Sequence, residues 1–122
     1  MKKSLAIAVL GALAQENRLD IFRLLVERGP EGLAAGEIGK RFGLPAATLS
    51  FHLMQLKYAG LVSSRRESRS IIYAANYRTM SALLGYLTEN CRRESSELSA
   101  PVAESASVAV AKAAGGRRAG RA

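Results

Sequence analysis

A single cysteine, Cys91, in 122 residues excludes a disulfide framework within the chain and favours a reducing compartment. Only three prolines interrupt the chain, and beyond its opening stretch no run approaches the ~20 uninterrupted apolar residues that a transmembrane helix needs. One histidine, His52, is too few for a histidine-built metal or catalytic cluster. It lies two residues from Ser50, but side chains two apart on a helix do not face each other, and no carboxylate is spaced to orient the imidazole. The stretch GEIGK at 36–40 lacks the glycine spacing and the following Ser or Thr of a phosphate-binding loop. These absences leave no enzyme constellation.

What is plentiful is apolar surface and positive charge. At 48% hydrophobic residues the chain holds enough for one modest core, with support from a partner subunit expected at this size. The net charge is +8, and most of the excess is local. Between residues 40 and 69 the six bases Lys40, Arg41, Lys57, Arg65, Arg66 and Arg69 face the single acid Glu67, a net +5. A positive segment of this kind suits a phosphate backbone or an anionic lipid surface, and a solvated basic face is the plain alternative.

Hydrophobic spacing divides the chain into short elements. Leu19, Phe22, Leu25 and Val26 predict a helix over 18–28, stopped by Gly29-Pro30. Ile38 and Phe42 mark a short helix over 34–42, broken by Gly43-Leu44-Pro45. Leu49, Leu53 and Leu56 stripe the next, over 46–59, with Gly60 as the left-handed residue that ends it. Two helices joined by a tight glycine-containing turn predict a helix-turn-helix. The period then changes to two across 61–66 and 69–73, a β-hairpin with a basic tip. Asn76 is a good N-cap for a last helix carrying Met80, Leu84, Leu87 and Cys91 in phase, a stripe that needs covering. Residues 96–122, rich in Ala and Ser and ending in RRAGR, read as a mobile basic tail outside a 1–95 domain.

Three stretches, ALAQENRLDIFRLL at 12–25, GEIGKRFGLPAATLSFHLMQLKYAGLV at 36–62 and RRESRSIIYAAN at 65–76, stand in an order that resembles the ArsR/SmtB family of winged-helix transcriptional repressors. The resemblance covers about residues 5–92. It implies a mainly α fold with a small β-hairpin wing, a winged helix-turn-helix that forms a homodimer through its first and last helices, works in the cytoplasm and binds a palindromic operator in double-stranded DNA, with no membrane partner. It also bears on the opening MKKSLAIAVLGALAQ, whose lysines, apolar run and Ala12-Leu13-Ala14 have the form of a secretory signal. Cleavage after Ala14 would cut the family segment, so a first helix is expected instead.

For the 46–59 helix, the face opposite Leu49, Leu53 and Leu56 holds Ala47, Thr48, Phe51, Gln55 and Tyr58, with His52 on its border. Thr48, Ser50, Phe51, His52 and Gln55 are the candidates at the DNA face; Gln suits adenine, and an outward aromatic suits a thymine methyl or else shields the helix-hairpin junction. The resemblance places His52 at that face, with a satisfied structural histidine as the alternative. Lys40, Arg41, Lys57, Arg65, Arg66 and Arg69 are the candidate phosphate contacts, which set register without specifying sequence. At the wing tip the family pattern R-E-G-R has Ser68 in place of glycine; positive φ there would cost roughly 1 kcal/mol, so a looser or differently turned tip is expected.

Family repressors often leave DNA on binding a soft metal or trivalent arsenic, but residues 34–39 hold no thiol and the last helix no histidine. Only Cys91 remains, within Thr88-Glu89-Asn90-Cys91. One chain cannot supply two thiolates, so trivalent arsenic would need Cys91 of both subunits; Cys91 as a small apolar interface residue is the plain alternative. In a winged-helix protein-interaction module, the alternative to a DNA-binding repressor, the basic wing and the polar face of the 46–59 helix would be incidental.

Overall fold

The computed structural model describes residues 1–91; the expected tail at 96–122 and the domain boundary at 95 lie outside the described residues. Met1–Tyr86 form one compact unit, and Leu87 begins a second.

The opening segment is helical: α1 spans Lys3–Leu13 and buries Ala6, Val9 and Ala12, small residues at three-residue spacing that let it lie close to its neighbours. Its other side leaves Leu5, Ile7 and Leu10 exposed. Helix α2, Glu16–Arg28, starts where the Gln15 side chain accepts a hydrogen bond from the Arg18 backbone N–H at 2.9 Å, a cap that satisfies one of the orphan donors of a first turn. It buries Ile21, Phe22 and Leu25, whereas Leu19, expected on the core stripe, is exposed. The inward face is the one shared by Ile21 and Leu25, four residues apart, and Leu19 points away from it.

Gly29, at φ +81°, ends α2, and a single 3-10 turn over Gly29–Glu31 leads to Gly32. There follows a strand that the sequence pattern does not predict. β1 is Leu33–Ala34, and α3 therefore begins one residue later than expected, at Ala35–Phe42. Gly43 closes α3 in the left-handed conformation at φ +63°, its N–H and that of Leu44 both donating to the Gly39 carbonyl. After this turn α4 spans Ala46–Tyr58 and buries Leu49, His52, Leu53 and Leu56. Gly39 permits the close crossing of α3 and α4: a Cβ there would sit 3.3 Å from Leu49 Cδ2.

The wing is a hairpin of β2, Val62–Glu67, and β3, Ser70–Ala75, in antiparallel register from Val62 opposite Ala75 to Glu67 opposite Ser70. β1 pairs with the other edge of β3, giving a three-stranded sheet in the order β1-β3-β2. The predicted hairpin is thus the larger part of a sheet anchored by two residues of β1. Asn76 donates its backbone N–H to Leu61 and accepts from Arg78 N–H, opening α5, Tyr77–Thr88. Tyr77 donates its hydroxyl to the Val26 carbonyl at 2.8 Å, fixing the start of α5 against α2. Leu83 is the buried residue of α5; Leu84 and Leu87, from the predicted stripe, are exposed in the single chain, as is Cys91.

Candidate nucleic-acid interface

The surface around α4 gathers most of the residues singled out from the sequence. Thr48, Ser50 and Phe51 are exposed on α4, and Gln55 is half-buried beside them. Lys40 and Arg41 occupy the last turn of α3, where cations complement the negative end of the helix dipole, and both are exposed. Lys40 and Ser50 line one groove between α3 and α4, so the basic end of the first helix borders the outward face of the second.

At the far end of α4, Lys57 donates from Nζ to Ser64 Oγ at 2.8 Å. This contact identifies the face of β2 that looks towards α4, and by the two-residue alternation of a strand Arg66 shares that face. Arg65 projects from the opposite one. Its guanidinium donates to the Pro30 and Glu31 carbonyls at 3.3 and 2.8 Å and pairs with Glu67 at 2.8 Å. Arg65, one of the candidate phosphate contacts, is thus also a strut that holds the wing to the 3-10 turn. Arg66 and Arg69, exposed like Arg65, have no such engagement among the described residues. The turn between the strands places Ser68 at φ +55°, so the chain adopts the strained conformation itself and not the different turn expected from the missing glycine.

His52 takes the second of its two expected places, that of a satisfied structural histidine. At 7% exposure it lies in the interior rather than on the outward face. Arg18, which donates from Nε to the Ala12 carbonyl at 2.7 Å, also donates from a terminal nitrogen to His52 Nδ1 at 3.3 Å. Because arginine has only donors, Nδ1 must be the unprotonated nitrogen. Burial, followed by the nearby Arg18 charge, lowers the His52 pKa from its ordinary 6.5. The border position given by helical spacing is resolved inward because this contact links the α1–α2 junction to α4. The sequence carries both partners, in R-L-x-I and S-x-H-L, without showing that they meet.

Met54 is the outward residue that sequence reasoning missed. It is 46% exposed, between Phe51 at 54% and Tyr58 at 78%. Its spacing, three from Phe51 and four from Tyr58, is the available signal.

Cys91 is a free, exposed thiol, and no group of three His, Cys, Asp or Glu among the described residues could hold a metal ion. The described residues of a single chain therefore bring together no such ligand group. No helix among the described residues is long and apolar enough to cross a membrane.

Residues 13–65 match the family model described as a helix-turn-helix domain. Over 82 residues the chain is 33% identical to the transcriptional activator HlyU of Vibrio cholerae, covering 67% of this chain and 73% of that protein. Among solved structures, an ArsR-like transcriptional regulator from Rhodococcus sp. RHA1 superposes with a TM-score of 0.65 at 25% identity, over 80% of this chain and 89% of that one. The homodimeric winged helix-turn-helix DNA-binding domain of a possible ArsR-family regulator from Mycobacterium bovis matches with a TM-score of 0.58 at 28% identity, over 77% of this chain and 83% of that one.

Proposed function

Because this chain belongs to the ArsR family of winged helix-turn-helix transcriptional regulators, we propose that it is a cytoplasmic homodimeric repressor that binds a palindromic operator through α4 and the wing. The observation that carries this reading is the continuous outward surface of α4, bordered by Lys40 and Arg41 at one end and by Lys57, Arg66 and Arg69 at the other. Cations at both ends suit phosphates on either side of a groove, and the exposed α4 side chains lie where base edges would be.

Dimerisation through the first and last helices is supported by Leu5, Ile7 and Leu10 of α1 and Leu84 of α5, apolar residues left exposed by a single chain. A two-fold dimer would place its two α4 helices about one helical turn of DNA apart, roughly 34 Å, which requires an operator of matching symmetry. Release by a thiol-reactive agent, or by trivalent arsenic held between the Cys91 thiols of two subunits, is the effector reading, supported by the exposure of that thiol. A winged-helix protein-interaction module is favoured by one observation, the apolar side chains on the outward face of α4.

Fluorescence anisotropy of the reduced protein on DNA from immediately upstream of its own gene tests the reading. Sequence-selective binding that weakens steeply with salt is expected, with a dimer by sedimentation. Arsenite and diamide titrations of that complex then test Cys91, with Cys91→Ser as the control. Binding no tighter than to unrelated DNA would sink the operator reading, and activation of a reporter would sink repression.

A further inference from the structure

The outward face of α4 is apolar where a solvent-exposed helix is usually charged. Of its thirteen residues only Lys57 carries a formal charge. With Leu49, His52, Leu53 and Leu56 turned inward, a rotation of about 100° per residue puts Ala47, Phe51, Met54 and Tyr58 on the ridge farthest from the core. Their spacing of four, three and four residues is that of a single stripe. Polar residues run along both sides, Thr48 and Gln55 on one and Ser50 and Lys57 on the other. The core is complete without this ridge: Phe51, Met54 and Tyr58 stay exposed in the folded chain.

Phe51 and Met54 can neither donate strong hydrogen bonds nor carry charge, so hydrogen-bonding base edges do not reward them. The apolar group that B-form DNA offers in its major groove is the C5-methyl of thymine, and contact with it distinguishes A·T from G·C pairs. Ala47, near the start of α4, is small enough to let the helix approach. Phe51 is also oriented by its neighbour, its ring lying 5.9 Å from the His52 ring at a tilt of 58°. The cations at both ends of the ridge favour a polyanion over a neutral polypeptide as the occupant.

We propose that the Phe51–Met54 ridge reads thymine methyl groups in the operator, with Gln55 and Thr48 beside it making the hydrogen bonds to adjacent base edges. The proposal rests on the DNA-binding reading and adds the chemistry by which that surface chooses sequence. Selectivity then depends on methyl positions as well as on hydrogen-bonding patterns. Deoxyuridine pairs as thymidine does but lacks the methyl, so it isolates this contact.

The test begins with selection by the full-length protein from a duplex pool randomised over three helical turns. The duplex recovered is then compared with its copy carrying deoxyuridine for thymidine, at fixed salt. Each contacted methyl lost should weaken binding about fourfold, as follows from roughly 0.8 kcal/mol per buried methyl-sized group, and tenfold or more over two half-sites. In Phe51→Ala/Met54→Ala the thymidine-to-deoxyuridine affinity ratio should fall towards one. Urea midpoints should be unchanged, since both side chains are exposed. If selection recovers a sequence but both duplexes bind the wild type equally, methyl reading is overturned while the regulator reading stands. If the double variant keeps the wild-type affinity and ratio, the ridge is not the reader, as a polypeptide-docking role would give. If no sequence is recovered, the regulator reading fails and the proposal with it.

Discussion

Helix α4 and the wing stand side by side in the same surface, yet they are built on opposite plans. The helix has one charged residue in thirteen and presents an apolar ridge. The hairpin has Arg65, Arg66 and Arg69 against Glu67, and attaches to the body through side-chain bonds from Arg65 and Lys57. Charges attract DNA at a distance and without regard to sequence, whereas apolar contacts act only on touching and only where a methyl is present. On the proposed DNA-binding reading, affinity would fall mainly to the wing and α3 terminus, and selection mainly to α4.

The sharpest way to break that division is Arg66→Ala/Arg69→Ala. If each arginine meets one phosphate, a dimer loses four contacts, and the slope of log affinity against log salt should become shallower by about 3.6. Preference among sequences should be nearly unchanged. A double variant that loses selectivity while retaining its salt slope would reverse the assignment. Next in size is Gly32→Ala, which acts on the wing's anchorage. Gly32 sits at φ +70°, and a Cβ there would collide with the Tyr73 carbonyl across the β1–β3 pair. A stability loss of about 3 kcal/mol in urea unfolding is expected, the sum of a strained backbone and a displaced strand. Arg65→Ala should cost about 1 kcal/mol, because its bonds are solvent-exposed, and should change the salt slope less than either free arginine.

The two regions also differ in how well the sequence foretells them. The helix-turn-helix was legible because Leu49, Leu53 and Leu56 repeat at helical spacing, Gly43-Leu44-Pro45 breaks the preceding helix and Gly60 marks a left-handed stop, with Gly43 and Gly60 both observed at positive φ. The hairpin was legible from its change to a period of two. The two-residue β1 was not, since a strand that short has no period and depends on a partner some forty residues away. Leu19 was misplaced because α2 carries apolar residues on more than one side, and only packing chooses between them. For His52 and Arg65 the sequence could not show the tertiary partners: Arg18 selects the structural alternative for the histidine, and the Pro30 and Glu31 carbonyls engage the arginine while it stays exposed.

The Arg18–His52 contact should make the stability of α4 fall in acid. His52 has its pKa lowered by folding, so the unfolded chain binds the proton more readily. The stability this contributes is full well above 6.5 and is lost as pH falls below 6.5 and through the lowered folded value. A proton on Nδ1 would also remove the acceptor that Arg18 uses and set two cations together. Urea midpoints measured from pH 7.5 downwards should decline in the wild type and decline less in His52→Gln, whose amide oxygen can still accept from Arg18 but does not titrate. Equal declines would place the acid sensitivity elsewhere.

The smallest effect belongs to the tip of the wing. Ser68 holds φ +55° in a two-residue turn between Glu67 and Ser70, a conformation that costs an L-residue with a Cβ roughly 1–2 kcal/mol. Ser68→Gly removes that strain, but glycine gives the unfolded chain more freedom, an opposing term of about 0.5–1 kcal/mol. The expected net is a gain below about 1 kcal/mol in urea unfolding. Ser68→Ala, which keeps the Cβ, should give no gain. Neither change touches a cation, so the salt slope should remain that of the wild type if the wing contributes mainly charge. A shift in slope with Ser68→Gly would mean that the strained turn aims Arg66 and Arg69 at their phosphates, and the wing would then act through shape as well as charge.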